Sequence, residues 1–198
     1  MRLTRTIIAL GLSALTLAWT GCVTSVYPFY FGKDVAFDPA LLGDWIENQN
    51  NANVHWKFER DGETAYHLTH TERGHSSVMQ ARLFKLHGQR FLDLFGSEPK
   101  EDDGFVPAIP AHLLLRVVHI GPTLEMVGLD YDWLEKLLEK NPKAIRHHII
   151  EDHGDGRLVL TADTAELQRF VVKHLKTEGA WGEPALKLQP AAATPPAR

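Results

Sequence analysis

Cysteine is almost absent from this chain of 198 residues, which contains one. A single cysteine excludes a disulfide scaffold and every metal cluster built on several thiolates. Blocks of lysine and arginine are also missing, and the formal charge is −4. The electrostatic footprint of a nucleic-acid binder is therefore lacking. Beyond residue 22 the chain holds four serines (Ser25, Ser76, Ser77 and Ser97), none within a Gly-x-Ser-x-Gly elbow. There is no His-Glu-x-x-His helix and no glycine-rich phosphate loop. What remains is an ordinary globular balance, with 44% hydrophobic and 23% charged residues. A chain of this size can bury a self-sufficient core in one domain.

The first residues read as an address. Arg2 and Arg5 form a basic flank, Thr6 to Trp19 is an uncharged and mostly apolar run, and Thr20-Gly21-Cys22 follows. This order is the pattern of a secretory signal peptide, and the run is too short to span a membrane. The small residue directly before the lone cysteine resembles a bacterial lipobox. The resemblance implies cleavage after Gly21, acylation of Cys22, and membrane lipid as a partner through that residue. The plainer alternative is an ordinary signal peptide with a free thiol. Cleavage removes Arg2 and Arg5, taking the formal charge from −4 to −6. Val23, rather than an aspartate, follows the cysteine, so the expected location is the outer membrane of a bacterial envelope, facing the periplasm. The predicted organisation is a signal peptide over 1–21, a lipidated aromatic lead-in over 22–37, a β domain over 38–189 and a disordered tail over 190–198. In the lead-in, Tyr27-Pro28-Phe29-Tyr30-Phe31 either plugs one end of the domain or sits at the headgroup level, where amphipathic rings are favoured.

The body reads as an antiparallel β-meander with two helices. Val54, Trp56 and Phe58 alternate with His55, Lys57 and Glu59, the mark of a half-buried strand. Asp61-Gly62 and His87-Gly88 mark hairpin turns. Tyr66 and Leu68 lead the returning strand, and further strands are expected at 76–86, 90–95, 112–120, 123–129, 146–151 and 157–161, giving about eight in all, a number that closes into a small barrel. The stretch 96–110, rich in proline, glycine and acid, is expected to be a loop long enough to act as a lid. Capping-box spacings at Asp132/Glu135 and Asp163/Glu166 predict two helices. Gly43-Asp44-Trp45 resembles the Gly-x-Trp of lipocalins, where the tryptophan closes one end of an eight-stranded barrel. The whole arrangement is similar to a group of uncharacterised bacterial lipoproteins with a lipocalin-like body. Leu41–Trp45, Trp56–Phe58, Asp130–Leu134 and Leu160–Phe170 carry that resemblance, and it implies no activity.

Chemistry-bearing residues are sparse. Eleven histidines include the clusters His67/His70/His75 and His147/His148/His153. Residues of opposite parity on a strand point to opposite faces, so His67 diverges from His70 and His147 from His148. No metal or cofactor is expected, and no catalytic residue is assigned. Arg116 lies in a strand that is apolar on both sides, and a buried arginine needs an acid partner or an anionic ligand group. Arg116, Trp56 and Tyr66 are the candidate ligand-binding residues. Three functions follow: a lipid-anchored barrel binding a small apolar or amphipathic ligand, an envelope scaffold with a filled barrel contacting a protein partner, and a hydrolase with an unrecognised site.

Overall fold

The computed structural model describes residues 23–48, 51–96, 111–152, 155–182 and 186–191. The expected signal peptide, Cys22, most of the expected lid and residues 192–198 lie outside the described residues. Eleven strands run β1 (Thr24–Ser25), β2 (Gly43–Asn48), β3 (Asn51–Asp61), β4 (Ala65–Glu72), β5 (His75–Leu86), β6 (Gln89–Gly96), β7 (His112–Ile120), β8 (Leu124–Gly128), β9 (His147–Asp152), β10 (Asp155–Leu160) and β11 (Leu186–Pro190). Two helices, α1 (Tyr131–Lys140) and α2 (Thr164–Lys173), follow β8 and β10 respectively. The protein is mainly β, as expected.

Eight of the strands close on themselves. β2 to β8 form an antiparallel meander, β6 pairs with β7, and β11 fills the last gap between β8 and β2. Closure satisfies both edges of every barrel strand and leaves no barrel edge to aggregate. The closing strand is the one that sequence reasoning left out. The hairpin β9–β10, which looks equally strand-like, lies outside the barrel and joins it only through β1.

Alternation sorts each barrel strand into an inner and an outer face. The inner face carries Trp45, Trp56, Phe58, Tyr66, Leu68, Ala81, Leu83, Leu92, Leu94, Leu115, Val117, Leu124, Met126 and Leu188 as one buried cluster. Across one row, Tyr66 opposes Ala81, which opposes Leu94, which opposes Leu113. The small methyl of Ala81 gives the tyrosine ring its room. One end of the barrel is shut by the segment before β2. The Trp45 indole donates to the Leu41 carbonyl at 2.9 Å, and Phe37 stacks on Tyr66 at 4.8 Å. Gly43 has a φ of +124°, which a side chain would strain, so glycine is required there. The Gly-x-Trp pair stands at the start of β2, where Trp45 is buried against Leu41.

The outer face of β5–β7 is covered by a second layer. Phe84, Phe91 and Leu114 pack there with Phe29, Leu134, Leu138, Leu158, Leu160, Leu167, Phe170 and Val171. The helices are started by side-chain caps. Asp163 accepts from the Glu166 N–H at 2.9 Å as its spacing predicts, whereas α1 is capped by Asp130, which accepts from the Trp133 N–H at 2.8 Å, and not by Asp132. Asp130 and Asp132 are both plausible by type; the chain turn after β8 places Asp130 first.

Because Leu188 has no exposed surface on the strand that completes the barrel, Leu188→Ala is expected to cost about 2–5 kcal/mol. Urea unfolding checks this: the midpoint should fall with the slope unchanged.

Candidate functional site

The three candidate ligand-binding residues do not come together. Trp56 and Tyr66 project into the barrel, whereas Arg116 shares the outer face of β7 with Leu114. The interior around the first two is packed. Trp56 is 1% exposed and Tyr66 0%, with Leu68, Ala81, Leu92, Leu124, Met126 and Leu188 equally inaccessible. A side chain lining a water-sized hollow would show surface to it, so among the described residues these positions line none. The Tyr66 hydroxyl is fully used, accepting from the Asp38 N–H at 2.7 Å and donating to the Asp38 carbonyl at 3.1 Å. Burial raises its pKa above the ordinary phenol value. Trp56 is different, because its indole N–H is buried with no hydrogen-bond partner among the described residues. His70 packs edge-on against it at 4.9 Å, with its imidazole pushed down by burial against an opposing pull from Glu72.

Arg116 is held by neutral groups. One guanidinium nitrogen donates to the Leu175 carbonyl at 3.2 Å and another to the Gln89 amide oxygen at 3.1 Å, with the cation 5.7 Å from the Trp181 ring centre. Among the described residues it has no carboxylate within ion-pair distance, and its Nε is buried without a partner. The expected acid partner is therefore replaced by carbonyl oxygens. Nearby, the Trp181 indole donates to the His174 carbonyl at 3.1 Å, and the His174 ring lies against Trp133 and Phe170. This corner ties the C-terminal end of α2 to β7.

The buried polar cluster that sequence reasoning missed is Ser25, Asp93 and His112. Asp93 sits on the outer face of β6, within an otherwise apolar run. One carboxylate oxygen accepts from the Phe29 N–H at 3.0 Å, and the other lies 2.6 Å from His112 Nδ1. Ser25 is directly opposite His112 across the β1–β7 ladder. A nucleophile, a base and an acid thus meet at one corner, but the serine is not poised for attack. Ser25 is 0% exposed and its hydroxyl accepts the Tyr27 N–H at 3.2 Å. The arrangement fastens the first described residues to the barrel wall. Only the pairing of distant strands creates it, so no local spacing could have announced it.

The aromatic lead-in divides its roles. Phe29 is fully buried, Tyr30 partly so, and Tyr27 and Phe31 are exposed. Phe31 borders an open groove of about 360 Å³ outside the barrel, between α2 and the β5–β6 turn. Leu86, Ala165 and Val172 are among its apolar lining residues, and Arg169 and Lys173 line it as well. The expected divergence of His67 from His70 is observed: His67 is exposed and His70 faces Trp56. His153 lies outside the described residues. Among the described residues no three His, Cys, Asp or Glu converge as a metal site, and no helix is long and apolar enough to cross a membrane.

No family model, curated protein or solved structure matches this chain. What stands is the architecture, an eight-stranded antiparallel barrel with added strands, consistent with a lipocalin-like body.

Burial lowers the pKa of both His70 and His174 below the ordinary imidazole value of 6.5, and the charge of Lys173 adds to the effect at His174. The unfolded chain then takes up protons first as the pH falls, so stability is full above 6.5 and declines below it. Thermal unfolding followed from neutral to mildly acidic pH should show this fall, and His174→Phe should make it shallower.

Proposed function

We propose that this protein is a non-enzymatic, lipid-anchored component of the bacterial cell envelope whose barrel is a solid body presenting its outer surface to protein partners. The observation that carries this reading is the barrel interior, occupied by its own side chains from Trp45 to Leu188. A closed barrel can bind a small ligand only where side chains leave room. A ligand held by Trp56 and Tyr66 would need the interior to open, although the unpaired Trp56 N–H offers it one hydrogen bond.

The anchor reading rests on the lipobox-like Thr20-Gly21-Cys22. It is supported by how closely the fold follows it. Val23 is already buried and Thr24–Ser25 is already a strand, so one peptide unit of about 3.8 Å separates Cys22 from the folded body. A chain acylated at Cys22 would hold its barrel against the bilayer rather than on a tether. An outer-membrane, periplasm-facing location is the corresponding proposal.

A second reading, binding of a small amphipathic ligand, is favoured by the groove beside Phe31. Its apolar lining residues and the cations Arg169 and Lys173 suit a molecule with a hydrocarbon part and an anionic head. Native and denaturing mass spectra of protein purified from envelopes separate the two. The solid-barrel reading predicts the same mass in both, and a discrete mass lost on denaturation would favour the ligand. In parallel, Cys22→Ser should move the protein from the membrane to the soluble fraction; continued membrane partition would contradict the anchor.

A further inference from the structure

The order of strands ends at β9, which pairs with β10 on one side and, among the described residues, with no strand on the other. Such an edge presents a row of N–H and C=O groups ready to accept another strand. Proteins usually blunt these edges with proline, lysine or a bulge. Here the six residue pairs with β10 run without a register shift, and His147-His148-Ile149-Ile150-Glu151-Asp152 contains neither proline nor lysine. Ile149 is 47% exposed and Ile150 41%, and because neighbours on a strand alternate, both faces of the edge are apolar.

The order of residue types selects the occupant. The strand begins basic (Arg146, His147, His148), is apolar in the middle and ends acidic (Glu151, Asp152). A parallel copy would set like charge on like. An antiparallel copy sets the basic half against the acidic half. In a two-fold antiparallel pair, opposed residues must point to the same face, so the axis passes through a residue and not between two. An axis at Ile149 puts Ile149 opposite itself, position 147 opposite 151 and position 146 opposite 152. An axis at Ile150 instead sets Ile149 against Glu151. Arg146 is already engaged by Asp163 at 2.7 Å and Glu166 at 2.8 Å, and His147 takes the register position opposite 151.

We propose that β9 pairs edge to edge with β9 of a second copy of this chain, antiparallel and centred on Ile149. The inference does not depend on the anchor or on the state of the barrel interior. One six-residue ladder buries less than a standard interface of about 1,600 Å², so the dimer is weak in solution, with a dissociation constant on the order of 100 µM. Confinement of the chain to a membrane would raise its occupancy.

The test uses protein carrying Cys22→Ser, which removes both any acyl anchor and the native thiol. Sedimentation equilibrium over a wide concentration range should show reversible monomer–dimer association, weakened at least tenfold by Ile149→Lys. Directly opposed residues on antiparallel strands have Cα atoms about 4.5–5.5 Å apart, within disulfide reach. Ile149→Cys should therefore give an interchain disulfide on mild oxidation. Val118→Cys, at a residue 52% exposed on β7, should not. Circular dichroism confirms that each variant is folded. A monomer at every concentration, or crosslinking at Val118 as efficient as at Ile149, overturns the proposal.

Discussion

One edge of strand β7 serves two partners, and the rest of the molecule hangs on that sharing. From Leu115 to Ile120 this edge pairs with β8, which leaves the sheet after Gly128. Two residues before Leu115, the same edge is taken up by β1, where Leu113 opposes Thr24 and His112 opposes Ser25. The sheet forks there. One branch returns through β8, β11 and β2 to complete the barrel; the other continues through β1 to β10 and β9 as a wing. Backbone groups on β7 that β8 abandons would otherwise be left without a sheet partner, and the short strand β1 supplies one.

The fork also explains why there are two cores. Side chains on one face of β7, such as Leu115 and Val117, fill the barrel; those on the other, such as Leu114 and Arg116, face the layer built by the wing and the helices. On β6, across β7 from the fork, lies Asp93, a buried carboxylate that binds His112 of β7 and the Phe29 N–H just beyond β1. A buried charge is tolerated only when its hydrogen-bonding capacity is met, and here both oxygens have donors. The carboxylate thereby specifies where the N-terminal segment lies. If Cys22 is the anchor, this stitching sets how the body stands on the membrane.

Much of the barrel was legible because its causes are local. The alternation of Trp56 and Phe58 with charged neighbours names the inner face of β3, and the glycines after Asp61 and His87 mark the hairpins. The closing strand was not legible. Leu186 and Leu188 alternate within a strand of only five residues that ends in Pro190, too few to stand out, and the pairing of that strand with β8 and β2 is entirely non-local. The two-residue strand β1 has no pattern at all. Conversely, β9 and β10 read as strands and are strands, but periodicity does not say whether a strand joins a barrel or a wing. The same limit applied to the candidate site. Arg116 is expected from its apolar strand to need an acid or an anionic ligand group, but a backbone carbonyl and an amide oxygen hold it instead, and these leave no trace in composition. Asp93 looked like one polar residue in an apolar strand until His112 was brought beside it.

The account turns on whether the barrel is solid, and Ala81 tests that most directly. It lies fully buried on the inner face of β5, opposite Tyr66 on one side and Leu94 on the other. Ala81→Leu adds three methylene-sized groups at the centre of the barrel. A filled interior has no room for them, so the substitution should destabilise the protein by about 1–3 kcal/mol in chemical denaturation. Unchanged or increased stability would mean that a hollow was there to be filled, and would contradict the solid-barrel account.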